Sequence, residues 1–136
     1  MKKYYKVVRN KNLASYAVNC NFRLHYSLKK FVRGKYNSKL FVFSDLKTAK
    51  LLASDWASVY ECYAKNVTKP AEIGYDLSSL KDTKKYWALY RKLKKHKKGV
   101  KSMYDKLTAS KLDVWRKNWP LGTLWADSVK LIKKVQ

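Results

Sequence analysis

The stretch from Lys39 to Asn66, KLFVFSDLKTAKLLASDWASVYECYAKN, is the strongest constraint on what this chain can fold into. Leu40-Phe41-Val42-Phe43 is short, aromatic and β-branched, which suits a strand buried on both faces better than a helix. Ser44 or Asp45 can then cap a helix, because either side chain accepts a hydrogen bond from a free backbone N–H of the first turn. Leu46, Ala49, Leu52, Ala53 and Trp56 fall on one helical face. In Val59-Tyr60-Glu61-Cys62-Tyr63-Ala64 the period returns to two, which predicts a second strand with Tyr60, Cys62 and Ala64 on one side. This unit is expected to form the core.

The flanks read less cleanly. Residues 4 to 9 look like a first strand, Asn10-Lys11-Asn12 like a turn, and Leu13 to Val18 like a second extended segment. From Asn21, apolar Phe22, Leu24, Tyr26 and Leu28 alternate with Arg23, His25, Ser27 and Lys29, the pattern of a half-buried strand with a basic outer face. Arg33 to Ser38 reads as a loop in which Gly34 or Asn37 supplies the positive φ of a turn. Thr68 to Gly74 is loop-like, with Pro70 disfavouring helix at Lys69. Leu80, Thr83, Trp87, Tyr90 and Leu93 then keep helical spacing, with a stop near Lys98-Gly99. Val100, Met103, Tyr104 and Leu107 share a further helical face, which Leu112, Trp115 and Trp119 either continue or follow as a short separate helix. Pro120-Leu121-Gly122 breaks the pattern, and Ser128 to Val135 alternates as a terminal strand that returns to the sheet.

Charge narrows the function. With 32 Lys and Arg against 9 Asp and Glu, the formal net charge is +23, well beyond the roughly 2 to 8 of an ordinary small soluble domain. Self-repulsion of this size opposes compaction, so a polyanion that neutralises it should bind and stabilise the fold. Between Lys81 and Lys101 there are ten Lys or Arg and one acid, Asp82. Lys81, Lys84, Lys85, Arg91, Lys92, Lys94 and Lys95 cannot be buried together, so they form the outer face of the helix, which Lys97 and Lys98 extend. Arg33, Lys35 and Tyr36 add a contact loop. These are the candidate nucleic-acid-binding residues. Several of the eleven Tyr and five Trp adjoin cations, as in Tyr4-Tyr5-Lys6, Lys85-Tyr86-Trp87, Tyr90-Arg91-Lys92 and Trp115-Arg116-Lys117. Such interleaving suits unpaired nucleic acid, whose bases stack on rings while cations meet phosphates. Trp87, Tyr90 and Trp115 nevertheless lie on apolar helical faces, where core packing is the ordinary role.

Parts for other chemistry are few. His96 lies in a lysine run that disfavours its protonated form, and neither His25 nor His96 has an evident carboxylate to orient it. Cys20 and Cys62 with the two histidines offer none of the paired short spacings of a zinc site, so neither metal nor cofactor is expected. Both cysteines read as buried free thiols. Lys98-Gly99-Val100-Lys101-Ser102 brushes a phosphate-binding loop but lacks its first glycine and follows a helix. The acids are scattered singly, and Glu61 is expected to serve as an internal ion-pair partner. No stretch approaches the ~18 apolar residues of a membrane span, and no signal-like apolar run follows Met1-Lys2-Lys3. The chain is expected to act inside a cell rather than to be secreted.

Lys-Val-Val-Arg at 6 to 9, Tyr26-Ser27-Leu28-Lys29, Leu40 to Phe43, Tyr60-Glu61-Cys62 and above all the ending Gly122-Thr123-Leu124-Trp125-Ala126-Asp127-Ser128-Val129-Lys130-Leu131-Ile132 resemble small proteins of tailed phages and other large DNA viruses. The resemblance implies a viral origin, hence the cytoplasm of an infected host or the virion, and brings no activity with it. The strand, short helix and strand also resemble the ADP-ribosyltransferase fold. Arg9, Ser15 and Glu61 are what this chain offers for that family's arginine, serine and glutamate, at a spacing that is not diagnostic, so no enzyme is expected.

Together these readings predict a single α+β domain over residues 1–136. It has a mainly antiparallel sheet of five or six strands, one packed helix, and a basic, aromatic-rich helical insertion at 81–118 before the last strand. The expected function is non-enzymatic binding of a polyanion, DNA or RNA foremost. The alternatives are a minor capsid or cementing protein meeting acidic capsid surfaces, and an anti-defence inhibitor that occupies a host nuclease's nucleic-acid channel. The surplus of aromatics leaves room for a homo- or hetero-oligomeric interface.

Overall fold

The computed structural model describes residues 2–10, 13, 24–35, 38–75, 80–95, 99–112, 114–116 and 119–136, without the side chains of residues 74, 75, 80, 100, 115 and 116. Along them the chain forms β1 (Lys3–Arg9), β2 (Phe31–Arg33), β3 (Leu40–Phe43), α1 (Leu46–Leu52), β4 (Ala57–Lys65), β5 (Ile73–Tyr75), α2 (Leu80–Lys95), α3 (Val100–Ala109), β6 (Val114–Arg116), β7 (Thr123–Ala126) and β8 (Ser128–Lys134). Six strands make an antiparallel sheet in the order β2-β8-β4-β1-β3-β7, and β5 pairs with β6 in a separate ladder. This is the α+β fold with a mainly antiparallel sheet that the sequence predicts.

The topology forces the sheet to curl. Strands β7 and β8 are separated by a single residue, Asp127, yet β7 pairs with β3 at one end of the order while β8 lies between β2 and β4. One extended run therefore changes partners at Asp127. Thr68, just past β4, exchanges backbone hydrogen bonds of 2.8 and 2.9 Å with Trp125, which joins β7 to the chain leaving β4. A register shift between Glu61 and Cys62 adds the local bend such closure uses.

Strand alternation then sorts side chains inside and out. Leu40, Val42, Tyr4, Val8, Cys62, Val129 and Leu131 fill the concave interior together with Leu24, Tyr26 and Ala126. As expected, Tyr60, Cys62 and Ala64 share the inward side, and Cys62 is a buried free thiol. Phe43, Val7 and Val59 face outward under α1, against Ala49. Asp45 is the cap of α1, accepting from the Lys47 and Thr48 N–H groups at 3.0 and 3.3 Å. The helix is shorter than its apolar pattern suggests. Leu46, Ala49 and Ala53 pack, whereas Leu52 and Trp56 are exposed, because the chain has turned toward β4 by Trp56.

On the outer side of β3 and β7, Phe41 and Trp125 meet the helices. Trp125 is 1 % exposed, with ring centroids of Trp87 and Tyr90 at 5.1 and 5.2 Å and Trp119 at 5.9 Å. Ile73, Tyr86, Leu93, Met103, Leu107, Leu112 and Val114 complete this cluster. The basic insertion is thus a packed layer rather than an appendage.

Several sequence readings change, among them the loop reading of Ile73 and Gly74, which lie in β5, and of Arg33, which ends β2. Residues 24–30 are not a regular strand: Leu24 and Tyr26 are buried and His25 exposed as the alternation implies, but Leu28 is exposed, Lys29 has φ 60°, and the ladder to β8 begins at Phe31. Residues 114–116 form β6 instead of helix, since Lys111 turns the chain with φ 61° and the pairing with β5 supplies the hydrogen bonds. Residues 123–126 form β7, unnoticed because Gly122, φ 88°, reads only as a breaker. The extended segment read at 13–18 and Cys20 fall mostly outside the described residues.

One cation points inward. Lys6 lies on the concave side of β1, 6 % exposed, with Nζ donating to the Phe41 carbonyl at 2.6 Å and 5.4 Å from the centroid of Tyr26. Burial pushes its pKa down to about 8, partly opposed by Cys62, whose thiol burial raises to about 12. The unfolded chain holds this proton to about 10.5 and the folded chain releases it near 8, so the penalty is full below pH 8 and fades as pH rises toward 10.5. Urea unfolding of the protein and of Lys6→Met at pH 7 and pH 10 should show the unsubstituted protein gaining about 2 kcal/mol relative to the variant over that interval. A constant difference would mean that Lys6 keeps its ordinary pKa in the fold.

Candidate nucleic-acid interface

Helix α2 separates its two faces by residue type. At 100° per residue, Thr83, Tyr86, Trp87, Tyr90 and Leu93 cover the buried side, and all five are buried. Lys81, Lys84, Lys85, Lys92 and Lys95 are exposed and fall, with Ala88 among them, in an arc of about 100° that runs roughly 21 Å along the axis. Asp82 stands in the first turn and Lys92, Lys94 and Lys95 in the last, the signs the helix dipole favours. The lysine row itself is repulsive, by about 0.2–0.5 kcal/mol for each pair three or four residues apart.

Not every cation of this helix belongs to that row. Arg91 sits at its edge, and Nη2 donates to Oδ1 of Asp127 at 3.1 Å. Lys94 turns back over Tyr90, 5.8 Å from the ring centroid and 3.5 Å from its hydroxyl. Within the row, Lys85 also donates to the Ser110 carbonyl and ties α2 to the end of α3. Trp87 and Tyr90 are core residues, so on this helix the rings next to cations serve packing, as their apolar face implies. Lys97, Lys98 and Tyr36 lie outside the described residues.

Asp127 brings the two predicted surfaces together. Its Oδ1 also accepts from Lys39 Nζ at 2.6 Å, its Oδ2 from Asn66 Nδ2 at 3.0 Å, and its carbonyl from the Gly34 N–H at 3.2 Å. Arg33, paired with Ser128, and Lys35 are exposed beside it. A loop and a helix some 58 residues apart thus meet at one carboxylate. Burial alone would raise the Asp127 pKa, but the hydrogen bonds from Lys39, Asn66 and Arg91 outweigh it and hold the group down to about 2. Gly34 is required there for space rather than for φ, since a Cβ would meet the Ser38 carbonyl oxygen.

Glu61 takes the role expected of it: its carboxylate lies 3.2 Å from Lys3 and 3.9 Å from Lys133. Of the residues aligned with an ADP-ribosyltransferase set, Glu61 is occupied by these lysines and Ser15 lies outside the described residues. Sequence reasoning overlooked the cations and rings of the outer sheet face, Lys3, Phe31, Tyr63, Lys65 and Lys130, because their neighbourhood exists only across strands.

Asp127 is a depressed acid, so its contribution is present above the unfolded value of 3.8 and is lost as pH falls through about 2. At neutral pH, Asp127→Asn should cost about 2–4 kcal/mol, since it strands the buried Lys39 ammonium, whereas Arg91→Ala should cost about 1 kcal/mol or less. Denaturant unfolding at pH 7 and pH 3 checks both, and the Asp127→Asn deficit should shrink at the lower pH. No protein-family model, curated protein or solved structure matches this chain.

Proposed function

We propose that the protein is a non-enzymatic binder of nucleic acid that docks through the outer lysine row of α2, flanked by Arg33 and Lys35. The observation that carries this reading is the row itself. Five exposed lysines on about 21 Å of helix match a line of phosphates better than any small anion, and the acid that meets this helix at its edge, Asp127, is spoken for by Lys39, Asn66 and Arg91. Like charges held side by side raise the free energy of the unbound protein, and a polyanion relieves that repulsion. Contacts of this kind give affinity without reading sequence. The ending at Gly122 to Ile132 supports a viral setting, with the infected cell's cytoplasm as the place of action.

Binding of short single- and double-stranded DNA and RNA across a salt series tests the proposal. Affinity should fall steeply with salt, by about 0.9 log units per log unit of salt for each phosphate neutralised on duplex DNA. The variant Lys81→Ala, Lys92→Ala, Lys95→Ala avoids the structural pairs of Arg91 and Lys85, and should keep or slightly raise its melting temperature as repulsion is relieved, while the slope drops by about 2 to 3. An unchanged slope would remove α2 as the docking face, and no binding near physiological salt would move the partner to an acidic protein surface such as a capsid.

A further inference from the structure

The convex side of the sheet is covered by α1 at β1, β3 and the start of β4, and by α2 and α3 at β3 and β7. Across β2, β8, β4 and the start of β1, a row of side chains lies outside both clusters. Register places Phe31 opposite Lys130, Lys130 opposite Tyr63, and Tyr63 opposite Lys3, so ring and cation alternate across four neighbouring strands. Strands lie about 4.8 Å apart, which puts the two rings roughly 10 Å from each other. The adjacent row is Arg33, Ser128 and Lys65, and the row on the other side carries Lys133 and Glu61.

The alternation of each strand confirms that these side chains share the convex face. Val32, Ala64, Val129 and Leu131 point into the concave core, so Phe31, Tyr63, Lys65 and Lys130, their neighbours in sequence, point outward. Phe31 and Tyr63 are half-buried and belong to none of the apolar clusters of the described residues. What they touch is charge. Lys65 Nζ lies 4.1 Å and Lys130 Nζ 4.9 Å from the Phe31 centroid, and Lys130 lies 5.7 Å from that of Tyr63. The acid of the patch, Glu61, is engaged by Lys3 and Lys133.

We infer that this row, Phe31, Lys130, Tyr63 and Lys3 with Lys65 and Arg33 beside it, is a platform for single-stranded nucleic acid, distinct from the lysine row of α2. Two rings on this convex sheet face can each receive one unpaired base, because a base offers its flat face to a ring when it is not enclosed in a duplex. A phosphate arriving with the base draws Lys65 or Lys130 off the ring and frees its face, so the cation–π contact of the unbound protein gives way to base stacking and an ion pair. Charge excludes a basic partner, and the pairing of aromatic with cation distinguishes the platform from α2, where the exposed arc carries lysines and Ala88 but no ring. The inference rests on nucleic acid being the natural polyanion and specifies the strand state recognised.

The test compares a 12-nucleotide single strand with the duplex of the same sequence at fixed salt, using Phe31→Leu and Tyr63→Leu, each checked for an unchanged circular dichroism spectrum and melting temperature. Stacking on the rings predicts a loss of about tenfold or more in single-strand affinity for each variant, duplex affinity within twofold, and recovery in Tyr63→Phe, which keeps the ring. Photocrosslinking of a bromodeoxyuridine-containing strand to the unsubstituted protein should map to the peptides bearing Phe31 or Tyr63, and it reads the site even where a variant fails to fold. Unchanged single-strand affinity in folded variants, equal losses for both strand states, or crosslinks confined to other peptides would overturn the platform. If steep salt dependence persists and responds to the α2 lysines in those cases, docking through α2 survives. If neither strand state binds, both fail.

Discussion

The buried carboxylate of Asp127 sits where one extended run, β7 into β8, leaves β3 and joins β4, and the rest of the architecture is arranged about that point. Its oxygens gather an ammonium from the start of β3, an amide from the turn after β4 and a guanidinium from α2, while its backbone holds the end of β2. Burying a lysine is costly unless a partner meets it with good geometry, and Lys39, with 5 % of its side chain exposed, has one at 2.6 Å. In a chain with 9 acids and 32 basic residues, an acid at this junction has a second effect. Arg91 is held at the edge of α2, between the aromatic face that lies on Trp125 and the lysines that face outward.

The aromatic layer supplies what the surface charge removes. A face of closely spaced lysines destabilises the helix that bears it, and isolated helices of this length are marginal even without such repulsion. Trp87, Tyr86 and Tyr90 compensate by packing edge to face or stacked with one another and with Trp125, at centroid separations of 5.1 to 6.5 Å. Each such ring contributes large buried area as well as a favourable quadrupole geometry. Helices α2 and α3 are for that reason part of the core as much as of the surface.

The two basic surfaces differ in kind. The row on α2 is lysine alone and suits phosphates in a line, whatever bases they carry. The row on the convex sheet interleaves lysine with Phe31 and Tyr63, and suits bases whose faces are open. Both lie next to the Asp127 junction, through Arg91 on one side and through Ser128, the partner of Arg33 and Lys65, on the other.

Much of the fold is legible in the sequence where local period and burial agree. The Leu40–Phe43 run, the Asp45 cap, the inward set Tyr60, Cys62 and Ala64, the helical face Thr83, Trp87, Tyr90 and Leu93, and the terminal strand all follow from spacing, because each element must bury its apolar side, on whichever face of the sheet it packs. The α2 cations are legible for the same reason: seven of them cannot be enclosed. Tertiary structure alone decided that Lys6 points inward, that 114–116 pairs with 73–75 as strand, that Arg91 is a structural ion-pair partner, and that Phe31, Lys130, Tyr63 and Lys3 stand in one row. Those outcomes depend on which strands lie side by side and in which register, and residues about 30 to 100 positions apart acquire a shared chemistry only when hydrogen bonding between strands fixes that register.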